Sequence, residues 1–150
     1  MIAGFLTRRT KGRPFVTLKL ATSLDGRIAR SDGASRWITG PAARAHTHLE
    51  RSRHEAILVG RGTLLADVPK LDVRLPGLEA HSPRRVLLSR TPETDWATIP
   101  SPAAIAGLSG VDRLMVEGGA QTASAFLAAD LVDRLLLYRA PILIGEGRAA

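Results

Sequence analysis

Apolar and polar positions change period several times along the chain. In "PFVTLKLAT" Val16, Leu18 and Leu20 alternate with Phe15, Thr17 and Lys19, and the β-branched content supports a strand. "AILVG", "RRVLLS" and "DRLMVEGG" are short apolar runs closed by glycine or polar residues and predict three more strands. "RLLLYRAPILIG" predicts a last strand, interrupted at Pro141. Between these runs the period lengthens. Thr39 and Gly40 precede Pro41, which suits the first helical position, so the pattern predicts a helix over residues 41–53. Thr39 would be its cap, and Ala42, Ala45 and Leu49 its inner face. "TLLAD" fits one helical turn, and "AQTASAFLAADLVD" a helix with Phe126 and Leu127 inward.

Asp25-Gly26 marks a turn, and "RSDGASRW" and "LPGLEAHSP" read as loops. "RTPETDWATIPSPAA" carries too much proline for a long element, with a short helix over residues 103–108 behind it. Residues 1–13 read as an arm or linker, and residues 14–150 as one domain. Strands alternate with helices, so the class is α/β with a largely parallel sheet.

Composition sharpens this. A chain of 150 residues with 45% apolar and 23% charged residues builds one sizeable core and is not disordered. Aromatics are only 4%, so that core must come from Leu, Val, Ile and Ala. There is no cysteine, which excludes a disulfide framework and a cysteine-based zinc site. Net charge is +7, which attracts anions. The arginines are dispersed, and the one dense run, residues 8–13, has no interleaved aromatics. A small phosphorylated ligand therefore fits better than a nucleic-acid groove. No apolar run approaches the roughly 18 residues of a membrane span, and the start is a poor secretory signal. A cytoplasmic protein, with no membrane or nucleic-acid partner, is the expectation.

Two strand-to-helix turns are candidates for chemistry. Gly60-Arg61-Gly62-Thr63 is half of a dinucleotide fingerprint, but Leu65 stands where the third glycine belongs. It is either a tight corner or a ligand turn. Glu117-Gly118-Gly119-Ala120-Gln121-Thr122 joins an apolar strand to an alanine-rich helix, where free N–H groups favour phosphate. Glu117 could hydrogen-bond a substrate or cap the turn. Lys19, mid-strand, faces either a cleft or solvent. Trp37 lines a flat ring or packs in the core, and Asp25 and Asp67 sit in turns where aspartate is common. His46 and His48 are two apart on a helix, point apart, and are poor metal partners. No metal site and no serine–histidine pairing stand out.

Taken in order, "RPFVTLKLATSLDGRIA", "SRWITGPAAR", "AILVGRGTLLADVPKLDVR" and "MVEGGAQTASAFLAADLVDRLLLYRAPILIG" resemble the reductase half of the bifunctional riboflavin-biosynthesis deaminase–reductase. The resemblance implies a dihydrofolate-reductase-like fold, a mixed, mostly parallel sheet flanked by helices, in a cytoplasmic homodimer. It implies NADPH-dependent reduction of 5-amino-6-(5-phosphoribosylamino)uracil. The family's cofactor positions fall on Ala21, Trp37, Thr63 and Asp67 and on the turn Gly119, Ala120, Gln121, Thr122. Its substrate positions fall on Ser35, Arg51, Leu71, Arg74 and Glu117, where Arg51 and Arg74 would grip a ribose phosphate. Lys19, Asp67 and Glu117 are the candidates for proton handling. The sequence also departs from the family. The deaminase signature H-x-E with P-C-x-x-C is absent, the segment before "DRLMVEGG" is short, and the family usually continues beyond "LIGEGRAA" through closing strands. Missing strands would leave a sheet edge uncovered. Val68 stands where a second acidic residue is common. A related reductase of another pyrimidine or pteridine, and a non-catalytic nucleotide-binding remnant, are the alternative readings.

Overall fold

The computed structural model describes residues 2–31 and 38–149. Six strands form one sheet: β1 (Phe15–Thr22), β3 (Ala56–Gly60), β4 (Arg84–Leu88), β5 (Ala97–Ile99), β6 (Arg113–Val116) and β7 (Arg134–Arg139). Their order is β5-β4-β3-β6-β1-β7, and every pairing is parallel. The antiparallel part is a separate ribbon of β2 (Arg27–Arg30) with β8 (Gly147–Ala149). Among the described residues four α-helices accompany the strands: α1 (Ala3–Lys11), α2 (Pro41–Arg51), α3 (Arg61–Asp67) and α4 (Ala120–Ala128). No helix among the described residues is long and apolar enough to cross a membrane.

The central strands are rich in apolar residues because both faces of the sheet are covered. All five residues of β3 are buried. Ala56 and Leu58 join Val16, Leu18, Val116 and Phe126 of α4 on one face. Ile57 and Val59 point the other way, to Leu64 of α3, Leu87 and Met115. At the sheet's end β7 has no outer partner among the described residues, and Leu135 and Leu137 are exposed.

Several expectations are corrected. The stretch read as an arm forms α1. Arg8 fastens it by donating to the carbonyls of Ala106 (2.9 Å), Leu108 (2.8 Å) and Val111, long-range contacts with no local sequence signal. Residues 97–99 pair with β4 as a short edge strand inside the segment read as irregular. Gly40, not Thr39, is the N-cap of α2, and no side chain caps it. The inner face of α2 is polar: Thr47 and Glu50 are buried, whereas Ala42 and Ala45 are exposed and Leu49 is half-buried. The reason is ion pairing. Glu50 accepts from Arg53 (2.9 Å) and from Arg134 of β7, so a hydrophobic period misplaces the face. On α4 Phe126 is inward as expected, but Leu127 is exposed.

Val68 closes α3 in the left-handed region, with φ 41° and ψ 56° and its N–H bonded to Leu64 O at 2.9 Å. A β-branched residue is strained there. Val68→Gly is expected to raise stability by about 1 kcal/mol in denaturant unfolding, since no buried contact is lost by an exposed side chain.

His54 is buried between α2 and β1. Its Nδ1–H donates to Glu50 O (2.6 Å), which leaves Nε2 to accept from the Thr17 hydroxyl (3.0 Å). Burial, reinforced by nearby Arg134 and Arg113, holds its pKa below the ordinary 6.5 despite the opposing pull of Glu50. The unfolded chain therefore takes up a proton that the folded chain refuses. Stability from this group is full above about pH 6.5 and lost as pH falls toward the folded value. Urea midpoints measured from pH 8 to pH 5 should fall, and His54→Gln should flatten that fall.

Candidate functional site

A cleft of about 1110 Å³ opens at the carboxyl ends of β1, β3, β4 and β6. This is where ligands bind in open parallel sheets. Helix α2 forms one wall, the starts of α3 and α4 another, and the β2–β8 ribbon a third. The ribbon is docked by Asp25, whose carboxylate accepts from the Ser23 hydroxyl (2.5 Å) and the N–H groups of Gly145 (2.8 Å) and Ile144 (3.2 Å). Those bonds, Ser23 first, lower its pKa to about 2. Asp25 is thus more than a turn former.

Glu117, directly after β6, is the buried centre of the cleft. Arg51 grips it with two parallel bonds, Nε to Oε1 at 2.7 Å and Nη2 to Oε2 at 3.0 Å. Lys19 Nζ stands 3.7 Å from Oε2, and its side chain is 20% exposed, so it faces the cleft rather than open solvent. The Lys19 ammonium also lies 5.9 Å from the ring centre of Tyr138. Burial alone would raise the pKa of Glu117, but the Arg51 bonds and the two cations outweigh it and hold the carboxyl ionised below the ordinary carboxylate value. The third arm of Arg51, Nη1, donates to Asp72 O at 3.1 Å. The paired donors expected to grip a phosphate are thus engaged by Glu117, while the Arg74 guanidinium is exposed at the cleft, 3.4 Å from Asp72.

The glycine turns now have separate explanations. A Cβ on Gly60 would lie 2.3 Å from Thr122 Oγ1, and one on Gly118 2.4 Å from Thr122 Cβ. Both glycines let the start of α4 seat against the ends of β3 and β6. A Cβ on Gly62 would meet nothing. Gly60-x-Gly62 is therefore a packing corner beside a ligand cleft and no dinucleotide fingerprint. Among the described residues no side chain caps α4, and Gly119, Ala120, Gln121 and Thr122 all line the cleft.

Of the residues singled out in the sequence, Lys19, Ala21, Arg51, Thr63, Asp67, Arg74 and Glu117 also line the cleft. Leu71 does not. It is buried in the core beside α3, with φ 58°, and edges a smaller cavity. Ser35 and Trp37 lie outside the described residues. His48 was set aside in the sequence yet lines the cleft, its Nδ1 3.1 Å from Asp72 O. Its spacing of three from Arg51 on α2 was the available signal. Arg61 and Arg148 line it too. Arg148 comes from the last strand, and no local pattern marks it. Among the described residues no group of three His, Asp or Glu side chains is placed to hold a metal ion.

Comparison with known proteins agrees with this geometry. The family model of the RibD C-terminal domain matches residues 14–150. The riboflavin biosynthesis protein RibD of Corynebacterium ammoniagenes is 41% identical over 90% of this chain and 45% of that protein. That of Mycobacterium tuberculosis is 39% identical over 94% of this chain and 46% of its own length. Among solved structures, a diaminohydroxyphosphoribosylaminopyrimidine deaminase/5-amino-6-(5-phosphoribosylamino)uracil reductase from Thermotoga maritima superposes with a TM-score of 0.86 at 31% identity. It covers 97% of this chain and 50% of that one. RibD of Acinetobacter baumannii gives the same TM-score, 0.86, at 32% identity over 99% of this chain and 52% of that one. The chain spans about half the length of the curated relatives it matches. With the parallel sheet, the cleft and these matches in agreement, the chain belongs to the RibD C-terminal domain family.

Proposed function

We propose that the chain is an NADPH-dependent reductase of riboflavin biosynthesis, converting 5-amino-6-(5-phosphoribosylamino)uracil to its ribitylamino product. The observation that carries this reading is the buried Glu117 carboxylate held between Arg51 and Lys19 at the floor of the cleft. The residues present fit a dinucleotide. The cleft, about 1110 Å³, is large enough for two ligands side by side, and the uncapped start of α4 offers N–H donors for a pyrophosphate. NADPH, when bound, supplies the hydride. The sugar carbon of the substrate is reduced as its bond to the ring oxygen breaks, and that oxygen then needs a proton. Lys19 is the donor in this reading, and Glu117 holds the ammonium in place. Glu117 itself is kept ionised and so serves as orienter and acceptor. Asp67, exposed on α3 at the cleft rim, is placed to contact cofactor rather than to exchange a buried proton. Arg74 and His48 form the side of the cleft suited to the substrate phosphate. A cytoplasmic homodimer completes the reading.

Addition of NADPH to the purified chain should quench tryptophan fluorescence and raise the melting temperature. Adding the phosphoribosylaminouracil should then oxidise NADPH. Binding without turnover would sink the catalytic reading. Lys19→Ala should lower kcat by about 10²- to 10⁴-fold with little change in NADPH affinity. A Lys19→Ala protein with unchanged kcat would remove it as proton donor. Arg51→Met strands a buried carboxylate, so it should cost about 3 kcal/mol of stability in urea unfolding as well as activity.

A further inference from the structure

We infer that Arg61 is the residue by which this chain distinguishes a dinucleotide carrying a phosphate on its adenosine ribose from one that lacks it. The inference rests on the cofactor reading above and assigns part of it to a side chain. The reacting end of the cleft is at Lys19 and Glu117, on the carboxyl ends of β1 and β6. The phosphate-binding turn opens α4, directly after β6. In the sheet the next strands are β3 and then β4. A dinucleotide is linear, with its adenosine on the far side of the pyrophosphate from the nicotinamide. Laid from Glu117 past the start of α4 toward β3, its adenosine ribose would fall over the ends of β3 and β4.

Arg61 stands there. It is the first residue of α3, immediately after β3, and it lines the cleft together with Leu88, the last residue of β4. Its guanidinium is poised rather than satisfied. Among the described residues Nη1 makes no hydrogen bond, and its one ion pair, to Glu93 Oε2, is long at 3.5 Å with both side chains partly exposed. Compare Arg51 and Arg13, whose forks are closed on carboxylates at 2.5–3.0 Å. The other arginines at the cleft belong to other walls. Arg44 lies on α2 and donates to Thr39 O (2.6 Å), the backbone N–H of Arg74 donates to His48 of α2, and Arg148 lies in the ribbon. A phosphate monoester offers a charge near −2 and several acceptors to such a fork. Glu93, beyond hydrogen-bond range, is a weak internal competitor for it. Its carboxylate suits a ribose hydroxyl and repels a phosphate.

The test is binding, by calorimetry on the whole chain, of NADPH, NADH, and adenosine 2′,5′-bisphosphate against adenosine 5′-monophosphate. The wild type should prefer each 2′-phosphorylated ligand. Arg61→Gln should weaken NADPH and the bisphosphate by about 10- to 100-fold, the range of a charge-assisted bond. NADH and the monophosphate should stay within about twofold, so that the preference collapses. Glu93→Gln should tighten NADPH. An Arg61→Gln chain that keeps the preference, or that loses NADPH and NADH equally, overturns the assignment while leaving the cofactor reading intact. A wild type that binds neither dinucleotide overturns both. Unchanged thermal unfolding of Arg61→Gln separates lost recognition from lost structure.

Discussion

The site depends on one buried carboxylate. Glu117 could not remain ionised at the end of β6 without Arg51, because an unpaired charge there would meet several kcal/mol of desolvation. Arg51 could not reach it unless α2 turned a polar face inward. That orientation is fixed by Glu50 and its partners Arg53 and Arg134, and by His54 beneath them. One charge at a strand end thus dictates how a whole helix sits. The same pairing leaves Lys19 as the cation with room to move, since its 3.7 Å approach to Glu117 is an electrostatic contact rather than a closed fork.

Much of the sheet was legible because buried parallel strands are written as continuous apolar runs. "AILVG" became β3 residue for residue, and "DRLMVEGG" holds β6 in its middle, from Arg113 to Val116. The elements that escaped were held by distant partners. Helix α1 is fastened through Arg8 to carbonyls about a hundred residues away, and β8 exists by pairing with β2. The inner face of α2 escaped for a different reason: its buried residues, Thr47 and Glu50, are polar, and periodicity counts only apolar ones.

The site was legible to a similar degree. A lysine out of place in an apolar strand pointed to Lys19, and a strand end and glycine turn to Glu117 and the start of α4; the structure gathers them in one cleft. What the sequence could not supply was who binds whom. Arg51 read as a phosphate grip and holds a carboxylate, while Leu71 read as a ligand contact and is buried beside α3. Spacing brings residues to a site, but partnership is decided by side chains that meet across elements.

Thr122 is locked against Gly60 and Gly118 at once, so the corners that open α3 and α4 are keyed into a single hinge-less frame. Any side chain at either glycine would wedge the two helices apart. Gly62 carries no such constraint, and Arg61 beside it is held only by its long ion pair to Glu93. The corner therefore separates what must be kept from what can drift. Sequences sharing this frame are free to exchange the residue after the first glycine, and with it ligand preference, without rebuilding the cleft.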